Sequence, residues 1–234
     1  MSTRRALYLL LLLLPVAAPV AHETRAHADE PINFCGQRLP LERANVSCRE
    51  GSPRLEVLSR LKKVERLDLS GTKVVDLSPL AGLRHLRVLN LSGSSVKDLR
   101  PLKSLRLVEL AIDETRVTDL RPLGGMTTLD SLSLWGTKVA DLQPLRKLKS
   151  LTTLRISYSR VTDLSPLEGL LKLDFLTASC LRFKDLRPLE SLTSLALLDL
   201  SYTALPADHL ARLRKKLPGC AISHSSPSPV ACSP

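Results

Sequence analysis

The sequence predicts an α/β solenoid, with short parallel strands on one face, helical turns on the other and a cap at each end. Three observations predict it. Six prolines, Pro79, Pro101, Pro122, Pro144, Pro166 and Pro188, recur at spacings of 22, 21, 22, 22 and 22 residues. A Leu-x-Leu pair steps with them: Leu67/Leu69, Leu89/Leu91, Leu110/Ile112, Leu132/Leu134, Leu154/Ile156, Leu176/Ala178 and Leu198/Leu200. The stretch LSGTKVVDLSPL (69–80) returns as LSGSSVKDLRPL (91–102) and LWGTKVADLQPL (134–145). Neither a helix period of about 3.6 nor a strand period of about 2 runs through it, whereas a fixed period of about 20–50 residues marks stacked repeats.

Apolar residues occupy positions 1, 4, 6, 11, 14, 17 and 20 of the unit. One unit alone has nothing to bury them against; stacked units share a continuous core. Positions 3 to 7 are expected as a parallel strand and positions 13 to 20 as a tight helical turn on the opposite side. Asp at position 13 (Asp76, Asp98, Asp119, Asp141, Asp163 and Asp185) is placed to cap that turn by accepting backbone N–H groups. The proline three residues later suits a first turn, where an N–H has no helical acceptor. A carboxylate ladder also suggests Ca²⁺, but each turn offers one carboxylate, so capping is the stronger reading.

The segments VTDLSPLEGLLKL (161–173) and VTDLRPLGGMTTL (117–129) resemble the leucine-rich repeat family, in its 22-residue class of internalin-type repeats, and also the leucine-rich regulatory subunits of protein phosphatases. The resemblance covers about residues 55–223. It implies a leucine-rich repeat arc with its strands on the concave face and its turns on the convex face, acting as a binding scaffold. Internalins carry Asn at position 9, bridging neighbouring turns. Here that position holds Thr72, Ser94, Thr115, Thr137, Ser159, Leu181 and Thr203. The hydroxyls are expected to make a thinner version of that ladder, which Leu181 cannot join.

The N-terminus has a basic start, the apolar run ALYLLLLLLPVAAPVA and a small-x-small site at Ala26-His27-Ala28. This predicts a signal peptide over residues 1–28, followed by an N-terminal cap (29–54), repeats (55–205), a capping helix and strand (206–223) and a Ser/Pro tail (224–234). Two prolines interrupt the run and it is short for a membrane span; a retained signal anchor is the alternative. No transmembrane span is expected after signal removal, and the protein is expected to be secreted or periplasmic. In an exported chain Cys35 and Cys48 bracket a short loop and are expected to form a disulfide. A repeat step added to Leu198 reaches Cys220, which reads as a core replacement for Leu. Cys180 and Cys232 remain open between a mutual bridge and free or intermolecular thiols.

The net charge of +11 becomes +9 without residues 1–28, with 31 basic against 22 acidic side chains. A basic exported chain meets acidic polymers, lipid headgroups or acidic proteins rather than nucleic acid. No catalytic constellation, metal-ligand spacing or glycine-rich phosphate loop occurs, so no cofactor and no enzymatic activity are expected.

Binding residues are sought at positions 3, 5 and 7, with position 8 on their edge. Apart from Tyr8 the chain has six aromatics, and four of them, Trp135, Tyr158, Phe175 and Tyr202, fall there. With Arg155 between them and Asp113 and Glu114 at the border, they form a candidate strip for a protein or peptide partner. The plain alternative is that Trp and Tyr fill shallow gaps among the serines. A basic row at position 10 (Lys73, Arg116, Lys138, Arg160 and Arg182), with Arg100, Arg121 and Arg187 at position 15, reads either as a solvated face offsetting the aspartates or as a footprint for an anionic polymer or acidic protein. A self-associating structural envelope protein is the remaining alternative.

Overall fold

The computed structural model describes residues 30–61, 63–205, 207–226 and 232. The signal-peptide segment and most of the Ser/Pro tail lie outside the described residues. The solenoid lies within one compact unit, Pro31–Pro234.

A short antiparallel hairpin, β1 (Ile32–Phe34) and β2 (Gln37–Leu39), opens it. Nine parallel strands follow in one sheet: β3 (Asn45–Ser47), β4 (Arg66–Asp68), β5 (Val88–Asn90), β6 (Glu109–Ala111), β7 (Ser131–Ser133), β8 (Thr153–Arg155), β9 (Phe175–Thr177), β10 (Leu197–Asp199) and β11 (Ala221–Ser223). Each strand pairs with the next in chain order. Leu67, Leu89, Leu110, Leu132, Leu154, Leu176 and Leu198 stand in register, and all are buried. This is the leucine-rich repeat arc.

Each strand is three residues long, at positions 3 to 5, and not the five expected. The backbone ladder nevertheless continues: the position-6 and position-8 N–H groups, as in Leu134 and Gly136, donate to the next repeat. The position-7 N–H donates to a side chain in most repeats. Ser70 and Ser92 bond Asp68 and Asn90 of their own repeats, and Trp135 bonds Asp113 of the preceding one. The chain leaves β geometry there because its local acceptor is no longer a backbone carbonyl.

On the opposite side, positions 14, 17 and 20 bury leucines at a spacing of three. That is the period of a 3-10 turn, in which residues i and i+3 eclipse. Short 3-10 turns accordingly follow β4 to β9, from Ser78–Leu80 to Arg187–Leu189. Bonds such as Leu80 N to Leu77 O and Leu83 N to Leu80 O chain them together. All six position-13 aspartates accept the N–H of the residue two further on, at 2.7–2.9 Å, so the carboxylates secure the turn entrance.

The position-9 hydroxyls do not bridge neighbouring turns. Thr72, Thr115, Thr137 and Thr203 donate to the carbonyl three residues earlier in their own repeat. A threonine is one atom shorter than the asparagine it replaces, and the nearest free acceptor is local. Ser94, equally buried, has an Oγ without a partner. Leu181 is simply buried with the core.

The C-terminal cap contains α1 (Ala207–Lys216), with Asp208 in its first turn and Arg214, Lys215 and Lys216 in its last, as the helix dipole favours. Its length shifts the last strand: Leu198 pairs with Ile222, a step of 24 residues. Cys220 therefore precedes the strand and is only partly buried, instead of replacing the core leucine. Helix α1 uses residues at about 1.5 Å each, so the return path is longer in sequence than a 3-10 turn. Cys35 and Cys48 are disulfide-bonded, with Cα atoms 5.7 Å apart. Cys180 and Cys232 are also bonded, Cα to Cα 5.3 Å, which decides between the alternatives for those two.

Candidate binding face

Position 8 is left-handed in every repeat. Gly71, Gly93 and Gly136 have φ of 70°, 68° and 66°, and Glu114, Tyr158, Cys180 and Tyr202 have φ of 53°, 59°, 57° and 60°. Glycine takes this conformation freely, whereas an L side chain costs about 1–2 kcal/mol there. The four exceptions are thus the row's costly residues, and such residues cluster at functional sites. Three glycines at one repeat position are the sequence signal that marks this row. Three of its four exceptions belong to the candidate strip, which the repeat positions of the aromatics had singled out.

Trp135, at position 7, is 38% exposed. Its N–H donates to Asp113 Oδ1 at 2.8 Å, the same oxygen that accepts the Ser133 hydroxyl. The other Asp113 oxygen accepts from Ser92 at 3.3 Å. Asp113 is therefore a clamp across three repeats, beneath the strip rather than a free carboxylate at its border. Glu114, next to it, is exposed.

The Trp135 and Tyr158 rings lie 5.2 Å apart at 60°, the tilted contact that aromatic quadrupoles favour. Tyr202 stands in the same row as Tyr158, two repeats on, and is 37% exposed. Between them sits Cys180, bonded to Cys232, whose sulfur is 3.7 Å from the Tyr202 carbonyl. Cys232 therefore returns to the edge of the candidate face. Phe175 is exposed but occupies position 3, at the opening of its strand. Four to five residues separate that position from the Trp and Tyr row, or about 13–17 Å at strand rise. The structure brings Trp135 and Tyr158 together; Phe175 belongs to the opposite margin of the face. Arg155 is exposed between these margins and carries no ion pair among the described residues.

Small hydroxyl residues fill the floor. The Ser157 hydroxyl accepts the Ser179 N–H at 2.9 Å, and Asp199 accepts the Ser179 hydroxyl and the Ser201 N–H. Burial raises the Asp199 carboxyl, but those hydrogen bonds outweigh it and hold it below its ordinary value.

On the flank, the position-15 arginines are occupied. Arg100, Arg121 and Arg187 pair with Asp98, Asp119 and Asp185 at 2.7–2.8 Å. Side-chain hydrogen bonds to these arginines are the main reason all three carboxyls sit low, Asp185 at about 2. Lys73, Arg116, Lys138, Arg160 and Arg182 at position 10 are exposed and take no part in that pairing. Among the described residues no group of three or more His, Cys, Asp or Glu side chains could hold a metal ion. No helix among them is long and apolar enough to cross a membrane.

The fold and its face define a solenoid of stacked leucine-rich units. The family model for leucine-rich repeats (2 copies) matches residues 62–104 and 127–169. An internalin C2 from Listeria monocytogenes is 30% identical, with a TM-score of 0.63, covering 72% of this chain and 74% of its own. The chain belongs to the leucine-rich repeat family, with repeats of the internalin type. An internalin (inlF) from the same organism is 27% identical, with a TM-score of 0.67, over 75% of this chain and 53% of that one. The present chain thus spans about half the length of that internalin. The ectodomain of the plant receptor kinase GASSHO1/SCHENGEN3 from Arabidopsis thaliana, in complex with Casparian strip integrity factor 2, shares the fold alone: 20% identity, TM-score 0.63, 80% of this chain and 25% of that one. A sequence comparison with curated proteins finds no match.

Proposed function

We propose that this chain is an exported, non-catalytic binding protein that holds a protein or peptide on the concave face of its solenoid. The proposed layout is a signal peptide (1–28), caps at 29–54 and 206–223 around the repeats (55–205), and a Ser/Pro tail (224–234). Trp135 and Tyr158 are the central anchors, with Tyr202, Phe175 and Arg155 around them. The observation that carries this reading is the contact of exposed Trp135 with half-buried Tyr158, on a backbone pinned by Asp113. Anchors of this composition, rigid before the partner arrives, lose little entropy on binding, and each contributes about 2 kcal/mol or more at an interface. Export is supported by two disulfides, which persist in oxidising compartments. The plant receptor ectodomain of the same fold occurs in complex with a factor.

The test is affinity enrichment on the exported form, in physiological and then high salt, beside a Trp135→Ala/Tyr158→Ala/Tyr202→Ala variant checked for folding. A protein retained by the wild type in both salts and lost by the variant supports the concave site. Retention by the variant that high salt abolishes overturns it.

A further inference from the structure

Each of the first six repeats turns at least one cation outward on the segment between strand and 3-10 turn. Position 10 supplies Lys73, Arg116, Lys138, Arg160 and Arg182. The second repeat has Ser95 there, and Lys97 two residues on takes its place, because burial alternates along the segment and positions 10 and 12 face the same way; by the same alternation Lys184 joins Arg182 in the sixth repeat. All seven cations are exposed, and among the described residues none of their side chains makes a hydrogen bond or ion pair. Three of the position-13 aspartates are held by the position-15 arginines and all six accept backbone N–H groups, while the charge of Lys97 adds to what holds Asp98 low.

The spacing is set by backbone bonds, not by flexible side chains. Arg116 N donates to Val96 O at 3.0 Å, and Arg160 N to Val139 O at 2.8 Å, so neighbouring repeats stay in contact at this position. At the parallel-strand separation of about 4.8 Å, the cations of the six repeats form a line about 24 Å long. Like charges at that step repel, and the repulsion is relieved by the neighbouring position-13 carboxylates, by counterions or by a matching polyanion.

We infer that this ridge is a second binding site, for a linear acidic polysaccharide with one carboxylate or sulfate per sugar. The step from repeat to repeat is on the scale of one sugar residue. Single-stranded nucleic acid would need aromatic faces to stack on, and the one aromatic on the segment, Phe183, is buried. A membrane surface would need an apolar face beside the cations, and Val75 alone is a large exposed apolar residue there. The disulfides place the chain where anionic polysaccharides are the common linear polyanions.

The test measures binding of labelled polygalacturonate to the exported form from about 50 to about 300 mM salt, since a polyanion site shows a linear log–log salt dependence. The expected result is steep salt dependence and no binding of the fully methyl-esterified polymer. Arg116→Gln/Lys138→Gln/Arg160→Gln should lower affinity about tenfold or more and flatten the salt slope. These side chains are exposed, so its thermal melt should match the wild type. Lys73→Gln/Lys97→Gln should show a smaller loss in the same direction. Trp135→Ala/Tyr158→Ala should bind the polymer as the wild type does, which separates this site from the concave one. Failure of the wild type to bind at the lowest salt overturns the inference, as does an unchanged slope in the triple variant. Oligothymidylate or phosphatidylglycerol vesicles binding equally well at matched salt would overturn the polysaccharide assignment.

Discussion

The carboxylate of Asp113 accepts the backbone N–H of Trp135, 22 residues further along the chain, at 2.8 Å. A residue on one turn of the solenoid therefore sets the backbone of Trp135 on the next. Ser92 and Ser133 donate to the same carboxylate, tying a third turn to it.

Asp113→Ala leaves the Trp135 N–H and two hydroxyls without their acceptor, and should destabilise the fold by about 1–3 kcal/mol. Trp135 is the chain's single tryptophan, so its emission reports on this site alone. A red shift and a lower melting temperature are expected, both smaller for Asp113→Asn, which keeps an acceptor oxygen. Unchanged emission and stability would show that the clamp is incidental.

The left-handed row predicts substitutions of opposite sign. Gly71→Ala combines a φ of 70° with a Cβ 2.9 Å from the Arg49 carbonyl oxygen, whereas Gly93→Ala meets nothing nearer than 3.6 Å. Both should lose about 1–2 kcal/mol for the conformation, and Gly71→Ala more for the clash. Glu114→Gly, at φ 53°, should gain up to about 1 kcal/mol. Urea midpoints rank the three; a Glu114→Gly protein less stable than wild type would contradict the assigned backbone cost.

Asp185 titrates at about 2, below its ordinary 3.8, chiefly through its side-chain hydrogen bond with Arg187. Its folded value is depressed, so its contribution to stability is complete above the unfolded value, about 3.9, and is lost as pH falls through about 2. Asp98 and Asp119 act in the same direction. These groups lie on the surface, so the effect is modest and salt-sensitive. Carboxyl NMR should place Asp185 near 2 and move it upward in Arg187→Gln; a wild-type midpoint near 4 would refute the pairing.

Five cysteines in two disulfides leave one thiol, on Cys220. Its burial pushes that thiol upward and slows its reaction. Thiol titration of the oxidised protein in denaturant should give one group per chain, and five after reduction. Cys232→Ser opens a loop with a sequence separation of 52 and should cost about 2–4 kcal/mol. Three thiols without reduction would show that the second bridge does not form.

Much of this molecule is legible in its repeat. Leucines at a spacing of three announce the 3-10 turns, and Asp76 and its five counterparts secure those turns as their position suggests. The Cys35–Cys48 pair follows from a short loop before the first repeat. Pattern and structure part where the period breaks or where a local partner wins. A count of 22 puts Cys220 in the core, but helix α1 lengthens the last unit. Thr137 bonds the Leu134 carbonyl because that acceptor is three residues away, not one turn away.

The sequence by itself determined the period, the buried leucine ladder, the order of strands and turns, and the aromatic content of one face, because burial of apolar positions depends mainly on the pattern within each unit. Only the tertiary structure decided which side chains pair: Asp113 under Trp135, the Trp135–Tyr158 contact and Cys180 bonded to Cys232 between units, and within a unit arginines rather than the position-10 row against the aspartates. Those pairings join residues 2 to 52 positions apart. They depend on where each side chain is directed and which acceptor the backbone has left free, and neither is written in the spacing.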